Sequence, residues 1–253
     1  LSPVKKMIPG DASFDDQFGS SVAISGDTLV VGSPHDDGDR GAVYIFSRNQ
    51  GGNENWGEIK RLVPQVRVAG SQFGYSVSIS GDKIIVGAPA DGAGTAYMYI
   101  DDNGNGSWTS TTELVLDQAS TGWTLTSGDQ FGYAVSISMD IAVIGAPGTD
   151  SDDGRLCMVE LANNTPVSFS QFLPPTPSAG GMFGLSAAIS ADNLIIAEPW
   201  AYKVHLYYRA QPGNWVAPPG YPLNLAHSFV TISGDTAAVG IPFGIVTGFY
   251  PML

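Results

Sequence analysis

One phrase recurs five times along the chain, and its fixed register limits the fold more than any other feature. It reads QFGSSVAISGDTLVVGSP from Gln17, QFGYSVSISGDKIIVGAP from Gln72 and QFGYAVSISMDIAVIGAP from Gln130. It returns as MFGLSAAISADNLIIAEP from Met182 and, more worn, as LAHSFVTISGDTAAVGIP from Leu225. The aromatic slot holds Phe18, Phe73, Phe131 and Phe183, with Ala226 in the fifth copy. Nine residues on stand Asp27, Asp82, Asp140, Asp192 and Asp235; seven further on stand Pro34, Pro89, Pro147, Pro199 and Pro242. Chance does not hold two spacings across five copies, and a period of this size marks a repeat architecture.

Each copy reads as strands. Ser-Val-Ala-Ile-Ser alternates with period two, and Leu-Val-Val-Gly is a β-branched run suited to a strand covered on both faces. Ser-Gly-Asp between them predicts a tight hairpin turn with Gly at positive φ. Met139 and Ala191 replace that Gly in copies three and four, so a different turn type is expected there. Two more strands follow in each copy, Ala42–Ser47 and Glu58–Pro64 in the first. Four antiparallel strands per 43 to 58 residues is the unit of a β-propeller blade. The expected fold is therefore all-β: one domain over residues 1–253, a five-bladed propeller of four-stranded antiparallel blades.

The fifth copy has room for three strands only. Val4–Pro9 resembles Ile59–Pro64, so the N-terminal strand is expected to complete the last blade. Closing the ring in this way removes an open sheet edge.

Composition agrees with a packed domain. The chain is 43% hydrophobic and only 14% charged. Its net charge of −13 repels phosphates and anionic headgroups, which argues against nucleic acid and membrane-surface partners. No apolar run reaches the length of a membrane span. The one cysteine, Cys157, allows no internal disulfide, and its apolar neighbours read as a buried strand. The chain opens Leu-Ser-Pro, which is compatible with a removed leader or with a fragment.

Phe18-Gly19 with Gly32-Ser33-Pro34, Phe73-Gly74 with Gly87-Ala88-Pro89, and Phe131-Gly132 with Gly145-Ala146-Pro147 resemble the FG-GAP repeats of integrin α-chain propellers. Phe183-Gly184 pairs with a degraded Ala197-Glu198-Pro199. The resemblance implies an extracytoplasmic binding module whose ligand face carries the Phe-Gly turns. It departs in two respects. Integrin propellers have seven blades. Their calcium loops lie in the hairpin between strands 1 and 2, which here is a two-residue turn, so those sites do not carry over.

Topology places the Phe-Gly turns, the strand 2–3 loops and the inter-blade links on one face. The Ser-Gly-Asp turns and strand 3–4 tips fall on the other. The Phe-Gly face then collects Asp11, Asp15, Asp16, Asp36, Asp37, Asp39, Asp91, Asp117, Asp129, Asp150, Asp152 and Asp153, half of the 24 acidic residues. Asp36, Asp37 and Asp39 form one dense cluster; Asp150, Asp152 and Asp153 form another. Closely spaced Asp with backbone carbonyls can supply the oxygens that Ca2+ requires, and Asp and Gly are equally the ordinary residues of solvated turns. Asp101–Gly106 has the look of an EF-hand start but lacks the later glutamate, and reads as a hairpin tip. Asn105 and Asn163 begin N-glycosylation sequons at expected exposed tips. Trp56, Trp108 and Trp215 recur where strand 4 begins, which suits packing between blades. Trp200 and Tyr202 replace the acidic loop in copy four, and Phe243 does so in copy five. With Asp91 they are the candidate ligand- or partner-binding residues.

His35, His205 and His227 are scattered, and no nucleotide, zinc or nucleophile motif appears. Glu198 is a single strand-end carboxylate, and glycoside hydrolysis needs two. The expected function is therefore non-catalytic: a scaffold that docks protein partners in a larger assembly or at a cell surface. A calcium-assisted, lectin-like module binding glycans is the alternative. Secretion or the cell surface is the compartment that the resemblance implies, with an organelle lumen such as the thylakoid lumen as the other option.

Overall fold

The structure is a computed structural model that describes residues 5–50, 52–53, 55–225, 229–240 and 250–251. It is an all-β fold of five antiparallel sheets in chain order. Sheet one contains Ser21–Ser25, Thr28–Ser33, Ala42–Ser47 and Gly57–Leu62, each strand beside the next. Sheet two repeats this with Ser76–Ser80, Lys83–Ala88, Thr95–Asp101 and Thr111–Leu116. Sheet three has Val135–Ser138, Ile141–Ala146, Arg155–Ala162 and Thr165–Phe172. In sheet four, Ser186–Ser190, Asn193–Glu198, Lys203–Gln211 and Asn214–Val216 are joined by Leu223–Asn224, which pairs with the start of the third strand. Among the described residues sheet five has three strands, Phe229–Ser233, Thr236–Gly240 and Tyr250–Pro251.

The hairpin turn keeps one conformation through every copy. Gly26, Gly81 and Gly234 have φ of 57°, 59° and 56°, and Met139 and Ala191 follow them at 53° and 49°. The expected change of turn type does not occur: the sheets on either side fix the turn, and two L-residues take up the left-handed strain.

The core lies mostly between sheets: four hydrophobic clusters each draw on two neighbours, and a fifth covers the outer flank of sheet one. Val30, Val43 and Ile45 of sheet one pack with Phe73, Val77, Tyr99 and Trp108 of sheet two. Equivalent clusters join sheets two and three, three and four, and four and five. This is why the second strands read as unbroken apolar runs: Lys83–Ala88 and Ile141–Ala146 are buried at every position. Phe73, Phe131 and Phe183 are fully buried, each burial contributing roughly 1.5–3 kcal/mol.

Polar contacts fix the spacing between sheets. Gly41, Gly94 and Gly154 form single parallel bridges to Phe73, Phe131 and Phe183 of the next copy. A serine also ends the first strand of each of sheets one to four and accepts from the turn amide of the following sheet. Ser25 Oγ takes Gly81 N at 3.2 Å, and Ser80, Ser138 and Ser190 Oγ take Met139, Ala191 and Gly234 N at 2.9 Å.

Among the described residues, Lys5–Pro9 carry no strand, and Val4 lies outside the description. Lys5 Nζ donates to Asn55 Oδ1 and to the Trp56 carbonyl, and Met7 packs on the outer flank of sheet one.

Candidate functional site

Loop placement follows the strand order. Asp27, Asp82, Asp140 and Asp192 carbonyls accept from Arg48, Asp101, Leu161 and Arg209 amides, which puts hairpin turns and strand 3–4 tips on one side. The Phe-Gly turns and strand 2–3 loops gather on the other. There, residues 10–16 and the loop after Pro34 enclose a cleft of about 560 Å3. Asp11, Asp15, Asp16, Asp36, Asp37 and Asp39 line it, with His35 and Arg61 among them and Phe14 at 93% exposure.

The strand 2–3 loop here is a single helical turn, Asp36–Asp39, with Asp37 and Gly38 in the left-handed region. That turn drives Asp36 inward. Its Oδ2 accepts from the Tyr44 hydroxyl at 2.7 Å, and its Oδ1 is paired with Arg61 Nη2. Asp11 Oδ1 lies 2.8 Å from the same hydroxyl, and Asp11 Oδ2 lies 3.1 Å from Arg61 Nε. Burial, then the bond to Asp36, pushes the Tyr44 phenol well above its usual pKa. Asp37 turns outward to Arg67 at 2.7 Å, and Asp39 pairs with His35.

The second acidic cluster has the same build. Thr149–Asp152 is a helical turn, and Asp150 forms a two-pronged pair with Arg155 at 2.6 and 2.5 Å. Asp152 and Asp153 use their carbonyls to hold Met182 N at 2.8 Å and Phe183 N at 3.0 Å. The carboxylates of Asp36, Asp37 and Asp150 thus face guanidinium groups, where calcium would need them open. Among the described residues no three His, Cys, Asp or Glu side chains converge on a point fit for a metal. Asp91 accepts from the Tyr97 hydroxyl at 3.1 Å.

Sheet four presents a different surface. Pro199–Ala201 forms a 3-10 turn that ends at Tyr202 with φ of 56°. Trp200 is 57% and Tyr202 51% exposed. Phe243 lies outside the described residues. On the opposite face, Asn105 and Asn163 are exposed at tips as expected. Trp108 is fully buried between sheets one and two, and Trp56 and Trp215 are part-buried, stacked under Arg48 and Arg209.

Sequence reasoning missed Phe14, the Tyr44–Asp36–Arg61 network, and a buried pair between Glu198 and His205. A signal was available for the last two. Tyr44, Tyr97, Cys157 and His205 share one slot, each facing the residue four past the turn aspartate.

Comparison with known families agrees with this geometry. The FG-GAP repeat model matches residues 2–46, 56–99 and 125–156. This chain carries FG-GAP repeats. Comparison with curated proteins returns no significant match. Among solved structures, streptogramin B lyase is similar in fold at 11% identity, with a TM-score of 0.53 over 95% of this chain and 71% of that one. The computationally designed Ika4 protein aligns over 95% of this chain and 94% of its own, at 12% identity and a TM-score of 0.39.

Proposed function

We propose that the five sheets are blades of a closed, integrin-like propeller that binds partners and does not catalyse. Closure would bury the flank of sheet one, which stands open among the described residues. Val22 and Ile24 are 64% and 58% exposed, whereas their counterparts Val77, Ile79, Ile137, Ala187 and Ile189 are buried under the preceding sheet. In the closed ring sheet five would cover this flank. The family match supports the part given to the N-terminus. Its unit starts at residue 56, just before the fourth strand of sheet one, and in the first copy it starts at residue 2. The first match thus begins with a segment in register with a fourth strand, whereas the third begins at residue 125, after the fourth strand of sheet two.

The Phe-Gly face is the docking surface, and one observation carries this reading. Exposed Phe14, Trp200 and Tyr202 stand on the same face as an acidic cleft of about 560 Å3. Exposed aromatics beside fixed charge are the makings of a binding hot spot, and the charge selects a partner with basic side chains. The setting is extracytoplasmic, at a cell surface or in an organelle lumen. Cross-linked capture from the source extract, read by quantitative mass spectrometry, tests the reading. Wild-type protein should retain a partner that Phe14→Ala and Trp200→Ala/Tyr202→Ala each lose. A partner held equally by all three, or none specific to the wild type, contradicts it.

A second reading has its own observation. A polar groove of about 430 Å3 on the opposite face is lined by Ser47, Gln50, Glu58, Asn105, Ser107 and Thr109. Hydroxyls and amides around one carboxylate suit a neutral glycan. A glycan array that stays silent with calcium and with EDTA removes this reading.

A further inference from the structure

Sheet four breaks the repeat at two facing positions. Glu198 ends its second strand, where Ser33, Ala88 and Ala146 stand in sheets one to three. His205 faces Ile196 across the next strand, in the slot that holds Tyr44, Tyr97 and Cys157 elsewhere. Glu198 is 0% and His205 2% exposed, and Oε2 lies 2.8 Å from Nε2. The other oxygen, Oε1, is buried and makes no hydrogen bond. Gly181 gives it room, since a Cβ there would fall 2.6 Å from Oε1. Asp16, Ser71, Asp129 and Asn224 hold the Gly181 slot in the other copies. Lys203 Nζ stands 3.9 Å from Oε2, and the Phe183 ring packs on the imidazole at 5.1 Å.

Burying a carboxylate with one oxygen unsatisfied is costly. Sheets one to three make the same junction with Ser or Ala, so the fold has a cheaper solution available. A local rule broken at a buried position points to function. The pair brackets the aromatic turn: Glu198 directly precedes Pro199, and His205 follows Tyr202 by three residues. Gly181, which admits the carboxylate, also accepts the Trp200 amide at 3.3 Å through its carbonyl, as the Asp16 and Asp129 carbonyls accept from His35 and Gly148 in sheets one and three; in sheet four alone the accepting residue also touches a buried carboxylate. Carboxylate, imidazole and the backbone holding Trp200 form one packed unit.

We propose that Glu198 and His205 are positioning residues that set the conformation of the Trp200–Tyr202 docking turn. This rests on the docking reading for its purpose, but its test needs no partner. Glu198→Ala/His205→Tyr rewrites the site as sheet two writes it, with Ala88 and Tyr97. Hydrogen exchange read by mass spectrometry should show the Trp200 and Tyr202 amides exchanging at least tenfold faster in this variant. Other amides of sheet four and the urea midpoint should hold or improve. Glu198→Gln, which keeps an acceptor for His205, should restore most of the protection. Turn exchange within twofold of wild type, loosening of the whole of sheet four, or failure of the double variant to fold each overturns the proposal. The Trp200→Ala/Tyr202→Ala capture experiment judges the docking reading separately.

Discussion

Gly32 of sheet one lies hard against the carbonyl of Gly74 in sheet two: a Cβ at Gly32 would fall 2.0 Å from that oxygen. The contact repeats at Gly87 against Gly132 at 1.9 Å and at Gly145 against Gly184 at 2.0 Å. The two glycines of the recurring phrase therefore meet between copies. Each copy's second strand is shaped to receive the Phe-Gly turn of the next. The fourth copy has Ala197 in this slot, and the fifth has His227 where the receiving Gly would be. The two losses fall on the same junction.

Gly87→Ala should accordingly destabilise the domain by about 3 kcal/mol or more, because backbone must move to admit the methyl. Gly81→Ala, at a turn with open space around it, should cost only about 1 kcal/mol from its positive φ. Urea titration of the two variants side by side checks the contrast. Equal losses would remove the close approach as the cause.

Ser80→Ala leaves the Met139 amide without the acceptor that it has at 2.9 Å. The expected loss is about 0.5–1 kcal/mol, since water can reach that amide, and Ser138→Ala, which frees the more buried Ala191 amide, should cost at least as much. A double variant that loses no more than either single variant would show that these bonds do not act junction by junction.

How much of this was legible beforehand follows from what each feature depends on. The register of Phe73, Asp82 and Pro89 is set within one copy, so the sheets and their faces could be read from periodicity. Gly32 against Gly74 and Ser25 against Gly81 are contacts between copies. The recurring serine was visible at Ser25, Ser80, Ser138, Ser190 and Ser233, but its partner was not. Asp36 and Asp37 looked alike in sequence. One left-handed turn sends the first inward to Tyr44 and the second outward to Arg67. Such a division depends on a run of left-handed φ from Asp37 to Asp39, which spacing does not reveal.

Alkaline pH should expose the buried phenols. Burial is the main cause that raises the pKa of Tyr44, Tyr75, Tyr97, Tyr99 and Tyr207. A phenol whose folded pKa lies above its unfolded value of about 10 adds stability that is complete below pH 10 and is lost as pH climbs further. Absorbance at 295 nm should show only part of the ten tyrosines ionising near pH 10, with the rest following the loss of β-sheet circular dichroism. A single smooth titration of all ten in the folded protein would contradict this.

Cys157 is buried, and burial pushes its thiol up to about 12. Iodoacetamide at pH 8 should therefore label it at a rate that follows unfolding in urea, not at the rate of a free thiol. Rapid labelling of the native protein would place Cys157 outside the core between sheets two and three.

The most direct test of the closed ring is a set of spin-label distances between hairpin turns, with Cys157 silent in its core. Asp27→Cys is paired in turn with Asp82→Cys, Asp140→Cys and Asp235→Cys, and each pair is measured by double electron–electron resonance. The Asp27–Asp235 distance should equal that of the neighbouring pair Asp27–Asp82 and be shorter than Asp27–Asp140. An Asp27–Asp235 distance longer than Asp27–Asp140 would mean that sheets one and five do not meet, and the ring would be open.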